Sequence, residues 1–284
     1  MVTPARKFAA QAARRHFAAE VAQADAAIDL AHAALLVAEE EEPRVGVVRY
    51  LAMLEDMGRE ARRRIERVDA EPLGAFNRFM FEELGFMGNE QSYYDPRNSL
   101  LSYVLDRRTG IPITLSVVYM EVGQRAGLRV EGVALPGHFI VRASAGSSET
   151  AMLVDPFHGR VIDEDDCQQR LDTVYGGQVP LTREHLAAAT TREILVRMLR
   201  NIKAIYAQAK LYRQALAVVE RILLVAPEAI DEHRDRGLLL GQLKRFPEAM
   251  IDLQLYLNFA VKATDAGHVR EQLKRVQTQL AMLN

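Results

Sequence analysis

Between Arg129 and Val154 the apolar residues of this chain leave helical spacing and fall into three short runs rich in β-branched residues, Arg129 to Ala134, Phe139 to Ala143 and Ala151 to Val154. Pro136-Gly137 and the small-residue loop Ser144 to Glu149 separate them, so they read as antiparallel strands joined by turns. On both sides the helical period returns. Strands gathered in one stretch with helices before and after make an α+β chain. Centring the second hairpin between Gly146 and Ser147 pairs Ala143 with Thr150 and sets His138 opposite Asp155, because register fixes which side chains meet across a ladder.

Upstream, alanine-rich helical spacing runs from Phe8 to Ala38, and Pro43 stops the helix that ends in Glu39 to Glu42, since the residue before proline is pushed out of helical geometry. From Val45 to Val68 a helix is expected to bury Val48, Leu51, Leu54 and Met57 and to keep Arg62, Arg63 and Arg64 near the wet side, where Glu60 and Glu66 offer ion pairs. Pro72 opens another helix that ends near Gly85, and a turn-rich loop from Asn89 to Asn98 leads into a short helix from Ser99. The next helix spans Pro112 to Ala126: proline suits its first turn and Gly127 its end.

From Leu186 onward the pattern is helical and repeats at an offset of 34 residues, placing Tyr212 on Phe246, Ala215 on Ala249 and Leu216 on Met250. Gly237 takes a small-residue position where the first unit has Lys203. This resembles tetratricopeptide repeats, and Tyr206 and Tyr212 are then packing residues. The domain division expected is 1–182 for the α+β part with its helical extension and 183–284 for the repeats.

Two polar residues meeting across strands, after a helix whose N-terminus precedes them, resemble the transglutaminase-like superfamily, which shares its core with papain-like enzymes. There a cysteine at the helix start attacks, a histidine takes its proton and an aspartate orients the ring; helix-end amides and a neighbouring imidazole favour the thiolate. The strings Phe81-Glu82-Glu83-Leu84-Gly85-Phe86, Tyr93-Tyr94-Asp95-Pro96-Arg97-Asn98-Ser99, Gly110-Ile111-Pro112-Ile113-Thr114-Leu115-Ser116 and Leu135-Pro136-Gly137-His138-Phe139 look like its bacterial SirB-type branch, over roughly residues 25 to 260. By that resemblance His138 and Asp155 fill the second and third roles, while Pro112 stands where the cysteine would be. Thr114 and Ser116 are the nearest hydroxyls, about 200° apart around a helix, so at most one faces His138. Thr114 is preferred for its closeness to the free amides, and Ser116 and Asn98 are the accessory candidates, Asn98 as a residue before a helix that could orient a catalytic group.

Each polar residue also has a plainer reading. His138 paired with Asp155 is a satisfied structural histidine; Asn98 is a cap or turn residue; Cys167, in the polar segment Glu164 to Gln169 beyond Asp155, is an incidental thiol rather than a nucleophile that swings in. His158 lies near Asp155, but the spacing of the seven histidines shows no three or four converging ligands, so no metal and no other cofactor is expected. One cysteine closes no intramolecular disulfide, which fits a reducing, cytoplasmic setting. The net charge of −2 and the lack of a long apolar run argue against nucleic acid and a membrane span, and basic Arg6 to Arg15 reads as an exposed helix rather than a targeting peptide.

The function expected is that of a non-catalytic, transglutaminase-like binding or regulatory protein, with a protein or peptide held by the groove at His138 or by the helical tail. The alternative is an amide or ester hydrolase or acyltransferase using Thr114 or Ser116 with His138 and Asp155. A hydroxyl is harder to ionise than a thiol, which places this second.

Overall fold

A computed structural model describes residues 4–43, 46–67, 71–146 and 151–282. It divides into two compact units, Met1–Ile194 and Leu195–Asn284. The division falls inside a helix rather than at 182–183, because the segment that follows the sheet stays with the first unit. Val133 bridges to Ala188, the Ala189 amide donates to Gly132 O, and the amides of Thr191 and Arg192 donate to Asp25.

The first unit opens with α1 (Pro4–Val21), α2 (Leu30–Glu41) and α3 (Val47–Ile65). Asp29 caps α2 by accepting from the His32 amide at 2.9 Å, and Leu30, Ala31 and every residue from Ala33 to Ala38 are buried. A helix apolar on all sides belongs in the core. On α3 the buried stripe is Val47, Tyr50, Leu54, Met57 and Ala61. Val48, expected inside, is 81% exposed: Tyr50 takes the stripe position and Val48 lies off it. Of the expected basic face, Arg63 and Arg64 pair with Glu60, Arg64 also with Glu83, and Arg62 donates to Arg125 O. It is a solvated, ion-paired surface.

Next come α4 (Pro72–Arg78), which continues into a wider turn over Phe79–Glu83, then β1 (Met87–Gly88), α5 (Leu101–Arg107), β2 (Thr109–Gly110) and α6 (Pro112–Arg125). The strands β1 and β2 pair in parallel, Met87 with Thr109 and Gly88 with Gly110. They are too short to leave a periodic signal in the sequence. Helix α6 is buried at every residue from Pro112 to Gly123. A Cβ at Gly58 of α3 would come 2.4 Å from Arg125 Cβ, so that glycine sets how closely the helix pair approaches.

The sheet is β3 (Arg129–Val133), β4 (Ile140–Ser144), β5 (Met152–Asp155) and β6 (Arg160–Ile162), antiparallel in that order, and α7 (Glu164–Tyr175) follows. Val130 pairs with Ala143. Ala143 pairs with Met152 and Val141 with Val154. The expected partner Thr150, and the ends Val45 and Val68 of the expected α3, lie outside the described residues. The ladder is thus offset by two residues from the expectation, and an even offset keeps the same side chains on the same face.

The second unit contains the rest of α8 (Thr191–Gln208), then α9 (Tyr212–Val225), α10 (Ile230–Gln242), α11 (Phe246–Phe259) and α12 (Ala266–Ala281). Tyr212 and Phe246 begin α9 and α11, as the repeat requires, and Ala215 and Ala249 are fully buried. Gly237 packs against α11, where an added Cβ would meet Leu253 Cγ at 2.8 Å. In the preceding unit Lys203 stands in that place and reaches Glu232 and Asp235, each at 2.7 Å. No described helix is long and apolar enough to cross a membrane.

Candidate functional site

Gly137, at φ 73°, turns the chain between β3 and β4. A side chain there would be strained in φ and would also strike Val174 Cγ2, 2.5 Å from an added Cβ. The His138 amide closes the turn on Leu135 O at 3.0 Å. The imidazole is thereby brought to the end of β5 although the ladder does not place it directly opposite Asp155. His138 Nε2 lies 3.0 Å from Asp155 Oδ1, with 7% and 0% of the two side chains exposed.

Asp155 is a hub. Its Oδ1 also accepts the amides of Phe157 at 3.0 Å and His158 at 3.4 Å, an Asx turn that shapes the β5–β6 connection. On Oδ2, His158 Nδ1 lies at 2.7 Å and Arg170, from α7, donates Nη2 at 2.5 Å. Burial by itself would raise this carboxyl, but the hydrogen bonds and charges of His138, His158 and Arg170 prevail and hold it well below the usual carboxylate range. Burial pulls the His138 imidazole below its ordinary value, against the upward pull of Asp155.

The hydroxyl candidates occupy opposite sides of α6. Ser116 Oγ donates to Phe139 O at 3.3 Å, so its side of the helix meets the strand that follows His138. Pro112, one turn earlier, shares that side. Thr114 points elsewhere: its hydroxyl donates to Asn98 O at 2.7 Å, with Ile111 O beside it at 3.1 Å, and accepts from the Ile111 amide at 3.2 Å. The preference for Thr114 on closeness to the free amides therefore fails, because the same closeness makes its hydroxyl part of the helix cap. Both hydroxyls are fully buried and directed at carbonyls.

Asn98 is likewise a loop anchor. Its Nδ2 donates to Ser92 O at 2.7 Å and Tyr93 O at 3.2 Å, and its Oδ1 accepts from Asn89 at 3.0 Å. The pinned loop lays Tyr93 against Phe157, 6.1 Å between centroids, and Phe157 stands edge-on to His138 at 6.3 Å. Cys167 lies in an apolar cluster with Leu135, Ile140 and Leu171, and burial pushes its thiol up to about 11. Such a thiol is a core residue and not a reserve nucleophile.

Sequence spacing did not find two residues at this site. His158 was set aside for want of converging partners, yet donor atoms of His138, Asp155 and His158 lie within 4.8 Å of one another. The Asx-forming Asp-Pro-Phe-His turn was the available signal. Arg170 left none, since only the fold brings α7 against the end of β5. Beside His158 opens a cleft of about 600 Å³ lined by Phe81, Met87, Gly88, Glu90 and Phe157 among others.

Comparison with known proteins places this geometry in context. The family described as transglutaminase-like superfamily matches residues 48–200, and tetratricopeptide repeat matches residues 202–274. A UPF0162 protein of Xylella fastidiosa is 36% identical over 265 residues, covering 89% of this chain and 94% of the relative. A UPF0162 protein of Pseudomonas aeruginosa is 30% identical, covering 86% and 89%. The F-box only protein 21 of Pongo abelii is 24% identical over 201 residues, which is 66% of this chain but 31% of that protein. No solved structure matches the chain.

Proposed function

The chain belongs to the transglutaminase-like superfamily, and from that membership we propose that it is a non-catalytic member, one that binds a protein or peptide instead of transferring an acyl group. The observation that carries this reading is Pro112. It lies on the side of α6 that meets the strand after His138, and it has neither a side-chain nucleophile nor an amide proton. The neighbouring hydroxyls are engaged with carbonyls and the only thiol is in the core. With His138 itself 7% exposed, a partner would meet the aromatic loop at Tyr93 and Tyr94 and the cleft at His158. Tetratricopeptide repeats supply a second surface of a kind that commonly holds peptides. The single buried cysteine fits a cytoplasmic setting.

The test is a panel of amide and ester substrates offered to the full chain and to its His138→Ala, Ser116→Ala and Thr114→Ala variants, with photo-crosslinking from position 94 in parallel. No turnover above the His138→Ala background, with a crosslinked partner lost on reversing the charge of Glu90, agrees with the reading. Turnover that falls with His138→Ala and with either hydroxyl variant overturns it and restores the hydrolase alternative.

A further inference from the structure

The cluster around Asp155 contains more than an orienting carboxylate needs. One carboxylate and two imidazoles, from the β3–β4 turn, the end of β5 and the β5–β6 connection, bring their donor atoms within 4.8 Å of one another. Donors bound at about 2.0–2.2 Å around one ion lie roughly 3 Å apart, and the two contacts measured here, His138 Nε2 to Asp155 Oδ1 and His158 Nδ1 to Asp155 Oδ2, are 3.0 and 2.7 Å. Two nitrogens and a carboxylate are also the donor mixture that suits zinc-class ions.

The place of a cation in this cluster is already marked. Arg170 Nη2 donates to Asp155 Oδ2 at 2.5 Å and lies 3.2 Å from His158 Nδ1, so the guanidinium sits on the carboxylate oxygen that also faces the imidazole. Arg170 retains 25% exposure and His158 37%, which gives the arginine a route out to solvent and an ion a route in. A charge of +2 beside a fixed guanidinium is strongly disfavoured; the two cations exclude one another.

We propose that His138, Asp155 and His158 form a binding site for a divalent transition-metal ion of the zinc class, which enters by displacing Arg170. The ion would tie the β3–β4 turn to both ends of the β5–β6 connection, and solvent would complete its coordination from the His158 side. This inference does not depend on the partner-binding reading above.

The test uses untagged full chain stripped with chelator, titrated with Co²⁺ while its visible absorption is followed, and with Zn²⁺ in competition. Wild type is expected to bind one ion saturably. Arg170→Met, which removes the competing charge, should bind at least tenfold more tightly, and His158→Asn at least tenfold more weakly. His268→Asn, at an exposed histidine of α12, should bind as wild type does. Far-UV circular dichroism verifies folding of each variant, and Arg170→Gln replaces Arg170→Met should the latter not fold. Absence of saturable binding by both wild type and the Arg170 variant overturns the proposal, as does a His158→Asn variant that binds like wild type. Binding by wild type that the Arg170 variants do not tighten overturns the displacement.

Discussion

Replacing Asp155 by asparagine tests whether the carboxylate is the tie that holds this end of the sheet. The amide preserves the shape and leaves Oδ1 able to accept from the Phe157 and His158 amides and from His138. On the other side it turns an NH₂ toward Arg170 Nη2 and His158 Nδ1, which in the native chain lie 2.5 and 2.7 Å from a carboxylate oxygen. Breaking a buried charge pair by removing one partner costs about 3–5 kcal/mol. Because Arg170 is 25% exposed and can rehydrate, the lower end applies, ~3 kcal/mol. For a unit of this size that lowers Tm by roughly 6–12 °C.

Thermal unfolding followed by circular dichroism between pH 8 and pH 3 measures it, and the pH dependence has a definite sign. The Asp155 carboxyl lies lower in the folded chain than in the unfolded one, so its contribution is complete above the unfolded value of about 3.9 and is lost as pH falls toward the folded value. The gap between wild type and Asp155→Asn should be full at pH 7 and begin to close below about pH 4. A variant within about 1 kcal/mol of wild type at pH 7, or a gap that widens as pH falls below about 4, would refute the reasoning.

Thr114→Val keeps the volume but leaves Asn98 O, a buried acceptor, without its hydroxyl; it should cost ~1–3 kcal/mol in urea denaturation, and a neutral effect would show that the carbonyl finds another donor. Gly237→Ala forces a methyl to within 2.8 Å of Leu253 Cγ and 3.1 Å of Asp252 Cβ, for a loss of about 1–3 kcal/mol in the same measurement. Cys167, its thiol pushed up to about 11 by burial, should resist a disulfide reagent at pH 8 in the native chain and react at once in denaturant. Fast native reaction would place the thiol at the surface. Lowering pH through about 6.5 should weaken wild type, because the unfolded chain takes up a proton that the buried His138 ring resists; stability that rises over that range would mean the ring is charged in the fold.

Much of the fold was readable because its signals are local. The change of period located the sheet, Pro112 and Gly127 marked the ends of the central helix, and the 34-residue offset located the repeats at Tyr212 and Phe246. The strand register was readable only modulo two: hairpin centring missed the ladder by one pair step, yet parity kept Val141, Ala143 and Asp155 on consistent faces. What could not be read was contact made by tertiary packing. Val48 and Tyr50 compete for one stripe, and only the neighbouring helices decide between them. Arg170 reaches Asp155 from a helix whose own pattern explains only Cys167 and Leu171. For Thr114, the proximity to the helix start that recommended it as a nucleophile is what ties its hydroxyl into the cap.

The way Asp155 gathers two rings, a guanidinium and two main-chain amides has a consequence for inferring chemistry across relatives. A carboxylate with so many dependents has work to do in holding the fold, whether or not any bond is ever made or broken nearby. An intact histidine–aspartate pair in a relative of this chain is therefore no witness to turnover. The position to compare is instead the opening residue of the preceding helix, which in this chain is Pro112.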